Sequence, residues 1–120
     1  MQDFRKIKAW QRAHALSIAI RKRTRGFTRA GAADLRSQLN RSSLSMASTI
    51  VEGCGTDSSK EFARYLGMSI DSANETEYHL LVARDLGLLS EDEWRRFTAE
   101  TIEIRKMTYS YRKKVPESED

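Results

Sequence analysis

Apolar residues recur every three or four positions along most of the chain, and no segment alternates with period two. That spacing predicts amphipathic helices and no sheet. Four such helices are expected, at about 7–24, 33–53, 58–86 and 90–114. In the first, Ala9, Ala13, Leu16 and Ile20 form one stripe, which Ile7 and Trp10 widen. Gly26 is placed to stop it, with Phe27 folding back onto the core. The third carries Phe62, Leu66, Ser69, Ala73, Thr76, Leu80 and Ala83, with Gly87 as its C-terminal stop. Ser58–Glu61 and Ser90–Glu93 each read as a capping box, in which side chain and backbone satisfy each other across the first turn. The fourth then continues through Trp94, Phe97, Thr101, Ile104, Thr108 and Tyr111. Residues from Pro116 to Asp120 are expected to fray.

The second helix differs from the others because it carries two tracks. Leu35, Leu39, Ser42, Met46, Ile50 and Gly53 follow one, and Leu44, Ala47, Val51 and Cys54 follow another. A single stripe suffices to bury a surface helix. Two stripes separated by Ser and Ala imply contact on both sides, and Ser, a mediocre helix former, needs packing to stay helical. Two readings follow: the central helix of a monomeric bundle, or a helix shared with a neighbouring subunit. In the second, Ser43, Leu44, Ala47, Val51 and Glu52 are the interface residues. Glu52 is acidic at a helix C-terminus, against the dipole, so Arg41, Arg64 or a neighbouring chain is its expected partner. The architecture predicted is a single all-α domain over 1–120, an antiparallel up-down-up-down four-helix bundle.

Length and composition narrow the class. A chain of 120 residues buries one core without staples. No apolar run is long enough to span a membrane, and the first residues lack a secretory signal. The lone Cys54 has no partner within the chain, which fits a reducing cytoplasm. Catalytic constellations are missing. A di-iron bundle needs Glu-x-x-His, yet Glu75 is followed at that spacing by Tyr78 and Glu77 by Leu80. Glu75 and His79 share a face, which reads as a hydrogen bond. Cys54 has no neighbouring His in sequence, and Gly53-Cys54-Gly55 lacks the strand that precedes a phosphate loop. No metal, cofactor or enzymatic activity is expected.

Charge changes the picture more. The net charge is +4, but residues 1–30 hold nine Lys or Arg against Asp3 alone. Arg5, Lys8, Arg12, Arg21, Lys22, Arg23, Arg25 and Arg29 are therefore the candidate nucleic-acid-binding residues, through counterion release at phosphates. With few aromatic neighbours, such binding favours shape and charge over base identity. Equally, a helix C-terminus attracts cations without any ligand. The alternative function is a protein-interaction scaffold with solvated arginines.

Asp3-Phe4-Arg5 followed by Trp10-Gln11-Arg12-Ala13-His14 resembles the opening of the four helix bundle proteins, also called 23S rRNA intervening-sequence proteins. Leu39-x-Arg41, Ser45 and Ile50-Val51-Glu52-Gly53 are similar to the family's second helix. Lys60-Glu61-Phe62-x-Arg64-Tyr65-Leu66 and Ser72-Ala73-x-Glu75-x-Glu77-Tyr78-His79-Leu80-Leu81, continuing through Ala83 to Leu89, are similar to its third. The likeness covers about 3–107. It implies a left-handed antiparallel bundle assembling as a homopentameric ring, in bacteria, with no established catalytic activity. Bundles of this kind also resemble the accessory protein of diversity-generating retroelements, a basic barrel that binds a reverse transcriptase and nucleic acid. This chain departs from the family pattern at Met46 and Thr49, where Pro and Asn are common, and at Thr56, where Arg is common.

Overall fold

The structure, a computed structural model, describes residues 2–116. Four helices carry the fold: α1 (Lys8–Thr24), α2 (Ala33–Cys54), α3 (Ser59–Asp85) and α4 (Glu91–Lys113). A 3₁₀ turn at Phe4–Lys6 precedes them, and the described residues contain no strand. The expected spans of 7–24, 58–86 and 90–114 include capping residues that lie outside the hydrogen-bonded turns: Ile7, Ser58, Leu86, Ser90 and Lys114. The 3₁₀ turn has no counterpart in the helical periodicity; Asp3 caps it by accepting from the Arg5 amide at 3.1 Å. Of the fraying expected from Pro116 onward, Glu117–Asp120 lie outside the described residues.

Capping follows the sequence with two exceptions. Ser90 and Glu93 form the full reciprocal box. At α3 the Ser58 hydroxyl accepts from the Glu61 amide at 2.9 Å, but Glu61 turns its carboxylate to Arg64. Gly87 ends α3 with φ +74°, its amide bonded to the Arg84 carbonyl and the Leu88 amide to that of Ala83. This is the left-handed stop that a Cβ would strain. Gly26 plays no such part, since its φ is not positive; α1 ends at Thr24, whose hydroxyl bonds the Arg21 carbonyl. Phe27 does return to the core, 1% exposed.

The partners across each helix pair fix the packing. Between α2 and α3, Gly53 lies against Phe62 and Tyr65, Met46 against Ser69, and Ser42 against Thr76 and His79. This seam is lined by small polar residues whose hydroxyls are all bonded. Ser69 donates to the Met46 carbonyl (2.7 Å), Ser72 to Ser45 (2.9 Å) and Thr76 to Ser42 (3.1 Å). The large majority of buried side-chain polar groups in proteins are paired in this way. Ala13, Leu16, Ile20, Leu39, Met46, Leu80, Ala83 and Ile104 fill the core between the four helices. A second cluster of Ile7, Ala9, Ile50, Cys54, Phe62 and Leu66 closes one end.

The two tracks of α2 thus have an explanation within the chain, because α1 and α3 both pack against it. Ser43 (1% exposed) and Ala47 (3%) are covered by the chain's own helices, so neither is available to a neighbouring copy. That corrects the expectation that both are interface positions. The sequence shows a helix contacted on two sides, and a four-helix body supplies both sides itself. Leu44, 46% exposed, faces outward, as does Glu52, with Val51 half-buried.

Candidate nucleic-acid interface

The eight candidate residues of the first segment divide into three groups. Two are tied to acids of α4. Arg12 donates from Nε and Nη2 to both oxygens of Glu100, at 2.8 and 2.6 Å. Arg23 does the same to Glu93, at 2.5 and 3.1 Å, and adds a bond to the Leu88 carbonyl at 3.0 Å. Such forked pairs join guanidinium and carboxylate by two parallel bonds. The Arg23 bond holds the Glu93 carboxyl down at about 2, assisted by the Ser90 amide. Arg12 likewise lowers Glu100, and the same bonds raise both arginines above their ordinary range. Arg12 and Arg23 therefore clamp α1 to α4 and are poorly placed to take up phosphate.

A second group is exposed but bound locally. Arg5 sits over the Phe4 ring at 4.6 Å and lies 3.6 Å from Asp3. Arg29 donates to the Leu86 carbonyl at 2.6 Å, fastening the loop after α1 to the end of α3. The third group is exposed and has no carboxylate within ion-pair distance among the described residues: Lys8, Arg21, Lys22 and Arg25. Lys8 lies at the start of α1 and the other three at its end. Lys8 rims a groove of about 670 Å³ between the N-terminal segment and α4, together with Lys6, Lys106 and Lys114. Arg21 and Arg25 line a cleft of about 450 Å³ at the other end, where α2 contributes Arg36 and Asn40. Arg36 and Asn40 escaped the sequence reading because they lie in a charge-balanced segment. The available signal was a cation at the end of the first turn of α2, where the helix dipole opposes it.

The remaining candidates have structural partners. His79 is buried and its Nδ1 lies 3.0 Å from the Ser42 hydroxyl, so Ser42, not Glu75, is its hydrogen-bond partner. Burial pushes its pKa down, against the pull of Glu75. Cys54 is 3% exposed and burial pushes its thiol up, away from thiolate reactivity. Glu52 forms no ion pair with Arg41 or Arg64 among the described residues, where Arg64 pairs with Glu61 instead. No three of His, Cys, Asp and Glu converge as metal ligands among those residues. At the positions that depart from the family pattern, Thr49 bonds the Ser45 carbonyl at 2.7 Å and Thr56 that of Gly53 at 2.7 Å. Both hydroxyls serve the local backbone.

Three comparisons bear on this arrangement. A family model described as "23S rRNA-intervening sequence protein" matches residues 5–110. The chain is similar to a crystal structure of a protein with unknown function from the S23 ribosomal protein family of Bacteroides thetaiotaomicron VPI-5482. The two share 21% identity with a TM-score of 0.78, covering 88% of this chain and 98% of that one. At that identity the likeness establishes the all-α fold. No curated protein matches the chain.

Proposed function

We propose a function from one premise: the chain belongs to the 23S rRNA-intervening sequence protein family. The protein is a non-enzymatic, oligomeric helical bundle that binds RNA or DNA weakly and by charge. One observation carries this reading. Lys8, Arg21, Lys22 and Arg25 remain exposed and without a carboxylate partner among the described residues, whereas Arg5, Arg12 and Arg23 are ion-paired and Arg29 is bonded to a carbonyl. Free cations of this kind release counterions from a phosphate backbone, and their affinity falls steeply with salt.

The finer architecture belongs to the same proposal. The helices run up-down-up-down, and copies assemble as a homopentameric ring in the bacterial cytoplasm. Leu44 and Glu52, with half-buried Val51, are the expected interface residues still turned outward on α2. In a ring the free cations repeat, so contacts too weak alone add by multivalency. A salt titration of binding to single-stranded RNA tests the reading. Affinity that falls linearly on a log–log plot is expected; affinity indifferent to salt, or none at low salt, refutes it.

Exposed apolar side chains favour a second reading, an interaction scaffold for another protein. Tyr78 is 63% exposed on α3, with half-buried Leu81 and Trp94 lining the same groove. A protein partner retained after nuclease treatment would support that alternative.

A further inference from the structure

We infer that the cleft between the end of α1 and the start of α2 is a built site for one phosphate of a nucleic-acid backbone, held by Arg21, Arg25 and Arg36 with Asn40. This deepens the proposed function and rests on it. Three guanidinium groups line one cleft of about 450 Å³, and no acidic residue lines it. Elsewhere in the described chain an arginine is commonly paired: Arg12, Arg23, Arg64, Arg84, Arg95, Arg96 and Arg105 each have a carboxylate. Three unpaired arginines on one cleft repel one another, and an anion seated among them removes that repulsion.

The dipole of α1 accounts for Arg21 and Arg25, which sit at a helix C-terminus. It does not account for Arg36, which stands at the end of the first turn of α2, where the dipole disfavours a cation. Arg36 is half-buried, and its Nη1 donates to the Phe27 carbonyl at 3.3 Å, which fixes where the guanidinium emerges. Thr24 orients the fourth group. Its hydroxyl lies 3.1 Å from the Arg21 carbonyl and 3.3 Å from Asn40 Oδ1. That hydroxyl has one proton and the Arg21 carbonyl is the nearer acceptor, so Asn40 completes the lining as a polar amide. The lining is therefore three forked cations beside a polar amide, and forked guanidinium groups recognise tetrahedral oxyanions.

Fluorescence anisotropy of a labelled single-stranded RNA, titrated with salt, tests the site in the full chain. Arg21→Gln with Arg25→Gln removes two exposed cations from the cleft. Lys60→Gln with Lys113→Gln removes two at the other end, and circular dichroism confirms that both proteins fold. If the cleft binds one phosphate, the first pair lowers the log–log salt slope by about 0.7, the share of a single phosphate on a single strand, and the second leaves it unchanged. Arg36→Lys provides a further readout, because it keeps the charge and loses the fork; weakened binding is expected. RNA binding in which the cleft pair behaves like the distal pair, with Arg36→Lys silent, overturns the cleft and leaves the proposed function standing. No RNA binding by the unaltered chain at low salt overturns both.

Discussion

Replacing Glu93 by Gln isolates the charge of the α1–α4 clamp. Gln keeps the size of the side chain and can still accept from the Ser90 amide, so the cap at the start of α4 survives. What disappears is the carboxylate opposite Arg23. In the folded chain that carboxyl titrates at about 2, against an ordinary value of 4.5. A shift of that size corresponds to roughly 3 kcal/mol. The Glu93 side chain is 25% exposed and that of Arg23 33%, so solvent screens the pair. The contribution to stability is therefore on the order of 1–2 kcal/mol.

The sign fixes the pH window. Between pH 4.5 and 2 the unfolded chain takes up the Glu93 proton while the folded chain resists it, so acid favours unfolding. The contribution is complete above about pH 6, and about three fifths of it is lost by pH 3. Urea denaturation of both proteins measures this. At pH 7 the Gln variant should be less stable by ~1–2 kcal/mol, and near pH 3 the deficit should shrink to about two fifths of that. A deficit of equal size at both pH values would show that Glu93 acts by packing, and would refute the electrostatic argument.

Gly53→Ala tests the α2–α3 seam: a Cβ there would lie 2.8 Å from Tyr65 Cβ and 3.1 Å from Phe62 Cδ1. Overpacking of ~1–3 kcal/mol should outweigh a helix-propensity gain of at most ~1, so the melting temperature falls; a rise would mean the seam yields. His79 is held neutral by burial, its folded pKa lying below 6.5, so stability should decline as pH drops through that value. His79→Gln should flatten that dependence, and an imidazole NMR midpoint at or above 6.5 would contradict it. Leu44→Glu should leave the single chain folded and reduce the assembly mass in light scattering, because Leu44 is exposed. Ala47→Glu, by contrast, should unfold the chain by burying a charge. An assembly unchanged by Leu44→Glu would remove Leu44 from the proposed interface.

What the sequence conveyed well was local. Helix starts are set by bonds within one turn, and Ser58 and Ser90 announced theirs; Gly87 announced a stop in the same way. What it conveyed poorly depended on a neighbour. Ser43 and Ala47 look like contact positions because they are small, but the identity of the contact is set by α1 and α3, which are distant along the chain. Ser42 and His79 meet although they are 37 residues apart, while Glu75, on the same helix face as His79, does not bond it.

Charge shows the difference most clearly. Counting gives nine cations in the first 30 residues, as if all were alike. Two of them face acids on α4, one of which lies 88 residues further along the chain, and these two serve the fold. Arg36 lies in a segment that counting makes neutral, yet it meets Arg21 and Arg25 across a cleft with no acid in its lining. The capacity to bind an anion therefore follows from which helix faces meet, not from the charge of any one segment. A balanced segment supplies a binding group once its acids point elsewhere. A basic one loses a binding group wherever its cations have already been claimed.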